Sequence, residues 1–113
     1  MLFSWAEKAT GKYPELELCY AIPNGGSRNL LEAVHLKQQG VKPGIPDIHL
    51  PVARGGWHGL YIEMKRQKGG RVSVEQKRML LALREQGYEA VVCYGCEDAI
   101  KVIKEYLASE RAV

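Results

Sequence analysis

The chain of 113 residues contains no run of about 18 consecutive apolar residues, the length a helix needs to cross a bilayer. Its opening, MLFSWAEKATGK, lacks the long apolar core of a secretory signal. These two absences predict a soluble cytoplasmic protein with no membrane partner, of the kind made inside bacteria or by phages. Cysteine is scarce and odd in number, with three residues, which argues against a secreted disulfide framework. Internal repeats, linkers and low-complexity segments are also missing. Nor is there a strong excess of one charge: 16 Lys and Arg stand against 13 Asp and Glu, and the net charge of +3 permits a polyanionic partner without requiring one.

What is present is 46% hydrophobic residues, enough for one compact domain over residues 1–113 and too few positions for two. Residues 2–10 are rich in helix formers and end near Gly11, and residues 16–22 look like a strand stopped by Pro23. After the turn residues Asn24-Gly25-Gly26-Ser27, a second helix is predicted over 29–39. Residues 45–52 and 60–67 read as two strands joined by a loop with three glycines, hence an antiparallel hairpin. Ser73 opens a third helix reaching about Gln86, residues 88–94 resemble a buried strand, and 97–109 form a last helix with Ile100, Ile103, Lys104 and Leu107 on one stripe. The order predicts an α/β domain with a mixed sheet of about four strands flanked by helices.

The hairpin carries the chemistry. Side chains alternate along a strand, so Ile48, Leu50 and Val52 share one face and Asp47 and His49 the other. On the second strand Leu60, Ile62 and Met64 share a face, opposite Tyr61, Glu63 and Lys65. With both apolar faces turned to one core, Asp47, Glu63 and Lys65 converge. Two adjacent carboxylates repel unless a cation compensates them. Mg²⁺ takes hard oxygen ligands and typically one or two carboxylates, and the Met64 carbonyl offers another oxygen. Such an ion polarises a phosphodiester and acidifies a bound water, while Lys65 can hold that water or offset transition-state charge. Taken alone, an E-x-K triplet is more often a solvated strand face. Its combination with Pro46-Asp47, a 16-residue gap and apolar alternation on both strands favours the site.

With Pro46-Asp47 followed by Glu63-Met64-Lys65, the sequence resembles the PD-(D/E)xK nuclease superfamily, and more narrowly a stand-alone VRR-NUC (virus-type replication-repair nuclease) domain. Further matching features are Ile22-Pro23-Asn24-Gly25-Gly26-Ser27-Arg28, Gly40-Val41-Lys42-Pro43-Gly44-Ile45-Pro46-Asp47, and Ser73 to Gln76 followed by a helix. The resemblance covers about residues 20–107. It implies a restriction-endonuclease-like fold and hydrolysis of DNA phosphodiesters with Mg²⁺ or Mn²⁺. In that reading Asp47 and Glu63 are metal ligands, Lys65 is the catalytic lysine and Gln76 the supporting polar residue. It further implies a homodimer acting on branched DNA such as Holliday junctions, in DNA repair. The family usually carries an acidic residue on its first helix just before a segment like Leu2-Phe3-Ser4-Trp5-Ala6. Here that residue is expected to be absent or replaced by Glu7, Glu15 or Glu17.

Other residues have two readings each. Ser73-x-x-Gln76 is also a capping box, so Gln76 can serve the helix start or the site. Asn24, Gly25 and Gly26 form a tight turn or bring backbone amides to a phosphate, with Arg28 beside them. Arg66, Lys68, Arg71 and Lys77 form a solvated basic surface or a DNA-backbone contact whose binding weakens with salt. His49 is expected to support the site rather than ligate. Cys93-Tyr94-Gly95-Cys96 has the spacing of a redox dithiol, but a thioredoxin-like fold needs more strands after that helix than this chain supplies. A DNA-binding domain of the same fold with little or no catalysis is the second functional reading, and a redox protein the third.

Overall fold

In the computed structural model, which describes residues 1–23 and 30–111, four helices and a 3₁₀ turn surround one sheet. Helix α1, Leu2–Ala9, buries Leu2 and Ala6, four residues apart and therefore on one face. Its last turn is closed by Thr10, whose hydroxyl donates to the Ala6 carbonyl at 2.8 Å.

The strand expected over residues 16–22 is instead mostly a 3₁₀ helix, Pro14–Leu18, followed by the two-residue strand β1, Tyr20–Ala21. Pro14 starts that turn with a φ already near the helical value and no N–H to leave unpaired. The Leu16 amide then donates to the Tyr13 carbonyl at 3.0 Å, and the Cys19 amide to that of Leu16 at 3.1 Å. This winding turns Leu16 into the core and leaves Leu18 54% exposed, whereas a strand would have set both on one face.

The remaining elements are α2 (Leu30–Gln38), β2 (Ile48–Leu50), β3 (Leu60–Lys65), α3 (Val74–Glu85), β4 (Glu89–Tyr94) and α4 (Cys96–Ala108). They match the predicted order, with β2 shorter than its predicted span. The strands lie in the order β1-β2-β3-β4; β1–β2 and β2–β3 are antiparallel and β3–β4 is parallel. A parallel pair needs a crossover, which α3 provides. The mixed sheet and the hairpin agree with expectation.

One face of the sheet forms the core. Ile48, Leu50, Leu60, Ile62 and Cys93 are buried there against α1 and α4. On α4 the buried stripe is Ala99, Ile103 and Tyr106, at i, i+4 and i+7, while Lys104 of the predicted stripe is exposed and lies 5.9 Å from the Trp5 ring. The small Ala99 lets the helix approach the sheet, and the Tyr106 hydroxyl donates to the Val52 carbonyl at 2.5 Å, so its buried polar tip is satisfied. Among the described residues no helix is long and apolar enough to cross a membrane.

Candidate metal centre and nucleic-acid face

Because Ile48 pairs with Ile62 and His49 with Tyr61, the side chains of β2 and β3 fall into rows across the sheet. The Ile22 amide donates to the Asp47 carbonyl at 2.7 Å and the Asp47 amide to the Ile62 carbonyl at 3.0 Å, so Asp47 and Ile48 together stand opposite Ile62 and tie the approach to β2 to both neighbouring strands. Opposite the core, one row therefore runs Tyr20, His49, Tyr61, and next along β3 comes Glu63, close enough to Asp47 for the two carboxyl groups to act on each other. Lys65 follows one strand repeat further along β3. The convergence of Asp47, Glu63 and Lys65 deduced from alternation is thus present.

Glu63 is only 2% exposed. Its Oε2 accepts from Gln76 Nε2 at 3.0 Å and lies 3.5 Å from Lys65 Nζ, whereas Oε1 is buried without a hydrogen-bond partner. Burial, then the charge and contact of Asp47, push its carboxyl up to about 7, with Lys65 pulling the other way. Asp47 is held differently. Its Oδ2 accepts the Met64 backbone N–H at 2.7 Å. A strand residue's N–H and C=O leave on the same side, so the Met64 carbonyl points toward β2 and Asp47 as well.

This arrangement fits a divalent cation. A buried carboxylate oxygen without a donor, beside a second carboxylate that raises its proton affinity, is a pair a hard cation would relieve. The donor set of Asp47, Glu63 and the Met64 carbonyl is all oxygen, which suits Mg²⁺ or Mn²⁺. Among the described residues no third His, Cys, Asp or Glu joins this pair. Of the candidates for the missing acid, Glu15 is engaged with Arg54 at 2.5 Å, and Glu7 and Glu17 are exposed.

Gln76 makes both sets of contacts that its sequence context left open. Its Oε1 accepts the Ser73 N–H at 2.8 Å while its own N–H donates to Ser73 Oγ at 3.1 Å, completing the capping box. The Nε2 of the same amide binds Glu63. What brings the start of α3 so near is Gly44. With φ at +82°, a Cβ there would lie 2.5 Å from the Glu75 carbonyl oxygen, so only glycine allows the Gly44-Ile45-Pro46 approach to Asp47 to pack on the helix end.

Arg66, Lys68, Arg71 and Lys77 are all exposed around the far end of β3 and the first turn of α3. The loop carrying the first three folds back on its strand: a Cβ on Gly70 would lie 2.8 Å from the Arg66 carbonyl oxygen. Asn24, Gly25, Gly26 and Arg28 lie outside the described residues. Cys93 is fully buried, and burial followed by the charge of Asp98 pushes its thiol up to about 12, the opposite of a redox nucleophile.

Two features escaped the sequence reading. A cleft of about 510 Å³ opens beside Asp47, walled by Met1, Phe3, Ile22, Ile48 and Met64. It exists only where the first turn of α1 meets the sheet end. The second is the aromatic row continuing from the carboxylates, whose only sequence signal was Tyr20, His49 and Tyr61 at alternating positions.

Comparison with known proteins agrees with this fold. The family profile of the VRR-NUC domain matches residues 4–97. A solved structure described as a VRR_NUC domain protein superposes with a TM-score of 0.75 at 27% identity, covering 98% of this chain and 92% of that one. No curated protein matches the sequence at a significant level.

Proposed function

The chain belongs to the VRR-NUC family, whose domains have a PD-(D/E)xK-like fold and nuclease-type function, and from that premise we propose that it is a metal-dependent endonuclease hydrolysing DNA phosphodiester bonds. The observation that carries the reading is the meeting of Asp47, Glu63, Lys65 and Gln76 on one side of the β2–β3 pair. Asp47, Glu63 and the Met64 carbonyl would hold Mg²⁺ or Mn²⁺. When bound, such an ion neutralises charge on the phosphodiester and acidifies a water. Lys65 orients the attacking water and offsets charge on the phosphate as it becomes pentacovalent. Gln76 fixes the Glu63 carboxylate through Oε2 and leaves Oε1 without a protein donor.

Arg66, Lys68, Arg71 and Lys77 contact the DNA backbone, and Asn24, Gly25, Gly26 and Arg28 do so as well. The substrate is branched DNA such as a Holliday junction, met by a homodimer, because a twofold pair offers two matched sites to symmetry-related strands. One observation favours a second reading, a DNA-binding domain of the same fold that cuts weakly: among the described residues no third acidic side chain accompanies Asp47 and Glu63.

Cleavage of four-way, flap and linear DNA by the wild type, Asp47→Ala and Lys65→Ala tests both. Cutting that requires Mg²⁺ or Mn²⁺, stops with EDTA and falls at least 100-fold in each variant is the expected result. Metal-independent binding without cutting would favour the second reading. Variants that cut as well as the wild type would remove the site assignment. Binding should also weaken steeply between 50 and 200 mM salt (about a decade or more if several phosphates are contacted), and less steeply in a variant lacking Arg66, Lys68 and Arg71.

A further inference from the structure

Along β3 the side chains opposite the core run Tyr61, Glu63, Lys65, and the exposed Arg66, Lys68 and Arg71 follow. The face is therefore ordered in a line: aromatic rings, carboxylates, then positive charge. The aromatic end is built across three strands. His49 and Tyr61 stack with centroids 4.1 Å apart and planes within 2°. Tyr88, just before β4, meets Tyr61 edge-on at 5.3 Å and His49 at 6.3 Å. Tyr20, on the edge strand, is set edge-on to His49 at 5.3 Å, and its hydroxyl is 2.7 Å from His49 Nδ1.

Most of this cluster is half-buried, but Tyr20 is 48% exposed. A tyrosine whose hydroxyl is held and whose ring remains open to solvent has lost its rotamer freedom before any ligand arrives. Tyr61 lies one strand repeat from Glu63, about 6.8 Å, and Tyr20 lies diagonally across from Asp47, about 8 Å away. A base belonging to a nucleotide whose phosphate lies at the carboxylates is within that reach, and the backbone continues the other way over the basic loop. The row is not needed for the core, which lies on the opposite face of the sheet.

We infer that Tyr20, positioned by His49 and backed by Tyr61, is a stacking platform for one unpaired nucleobase next to the phosphodiester that is cut. The inference rests on the reading of the protein as a DNA nuclease and adds a source of selectivity to it. A paired base, already stacked in its duplex, cannot offer its face to Tyr20 without being extruded, whereas an unpaired one at a branch or in a single strand does so at little cost. Every base has a π-face, so the platform distinguishes unpaired from paired DNA and not one base from another.

The test is binding without cleavage, in EDTA at low salt, to DNA carrying a fluorescent 2-aminopurine as its one unpaired base, with a fully paired duplex as the comparison. The wild type should quench the fluorescence on binding. Tyr20→Ala should lose the quenching and bind the unpaired substrate about tenfold less tightly, with duplex affinity unchanged. Tyr20→Phe keeps the ring but not the hydrogen bond to His49, and should retain the quenching and most of the affinity. Equal affinity of Tyr20→Ala and wild type for the unpaired substrate, an equal loss on duplex, or Tyr20→Phe behaving as Tyr20→Ala would each overturn the platform while leaving the nuclease reading in place. Wild type that binds no DNA at all, either in EDTA or with Ca²⁺ in place of Mg²⁺, would overturn both. Because Tyr20 is exposed and outside the core, unchanged thermal unfolding of the variants is expected and separates stacking from folding.

Discussion

Replacing Gln76 tests the joint between helix α3 and the carboxylate pair, because one amide serves both. In Gln76→Ala the Ser73 N–H loses its acceptor and Glu63 Oε2 loses its donor. The capping contribution is about 1 kcal/mol. A hydrogen bond to a charged group contributes about 1.5–3 kcal/mol, and water reaching the half-exposed Gln76 position recovers part of it. The expected loss is about 2–3 kcal/mol, or a fall in Tm of about 10–20 °C for a domain of this size. Gln76→Glu separates the two contributions. It keeps an oxygen for the Ser73 N–H and places an acid at the helix N-terminus, where it is favoured. It also sets a carboxylate where the amide now lies 3.0 Å from Glu63 Oε2. Relative to wild type at the same pH, this variant should be close to neutral at pH 5, where the pair can share a proton, and clearly destabilised at pH 8. Thermal and urea unfolding in EDTA read both variants. A Gln76→Ala loss under about 0.5 kcal/mol, or a Gln76→Glu effect that does not change with pH, would refute the bridging role.

Two further outcomes follow from the same geometry. The folded Glu63 carboxyl is raised to about 7 from an ordinary value of 4.5, so between those pH values the unfolded chain holds fewer protons than the folded one. Stability of the metal-free protein should therefore fall as pH rises through that window, by about 1–3 kcal/mol, and level off above it. Urea titrations of wild type and Glu63→Gln in EDTA check this, since the variant should lack that component. Gly44→Ala meets both a positive φ and the Glu75 carbonyl, so it should cost about 2 kcal/mol or more, with a matching loss of α3 protection in hydrogen exchange. A variant as stable as wild type would mean that the Gly44 approach does not hold the helix end.

Much of the site was legible in sequence because its signals are local. The alternation in Asp47-Ile48-His49-Leu50 and in Leu60-Tyr61-Ile62-Glu63-Met64-Lys65 assigns faces without knowledge of the rest of the fold. The Ser73 and Gln76 spacing likewise announces a capping box from four consecutive residues. The strand expected at residues 16–22 gives way for an equally local reason, since Pro14 starts a helical turn there. The redox spacing of Cys93 and Cys96 misleads because burial, which pushes the Cys93 thiol up, comes from the packing of α4 and the sheet.

By itself the sequence determined the periodicities: which residues face the core, where α3 starts, and that Asp47, Glu63 and Lys65 leave their strands on one side. Only the tertiary structure decided what those side chains meet. That β4 lies parallel to β3, that the free end of the Gln76 amide reaches Glu63, and that Tyr20, His49 and Tyr61 line up across three strands are all consequences of register between distant segments. Alternation along a strand is set by the covalent backbone, whereas pairing between strands is chosen by the burial of a whole face at once, and no single segment carries that information.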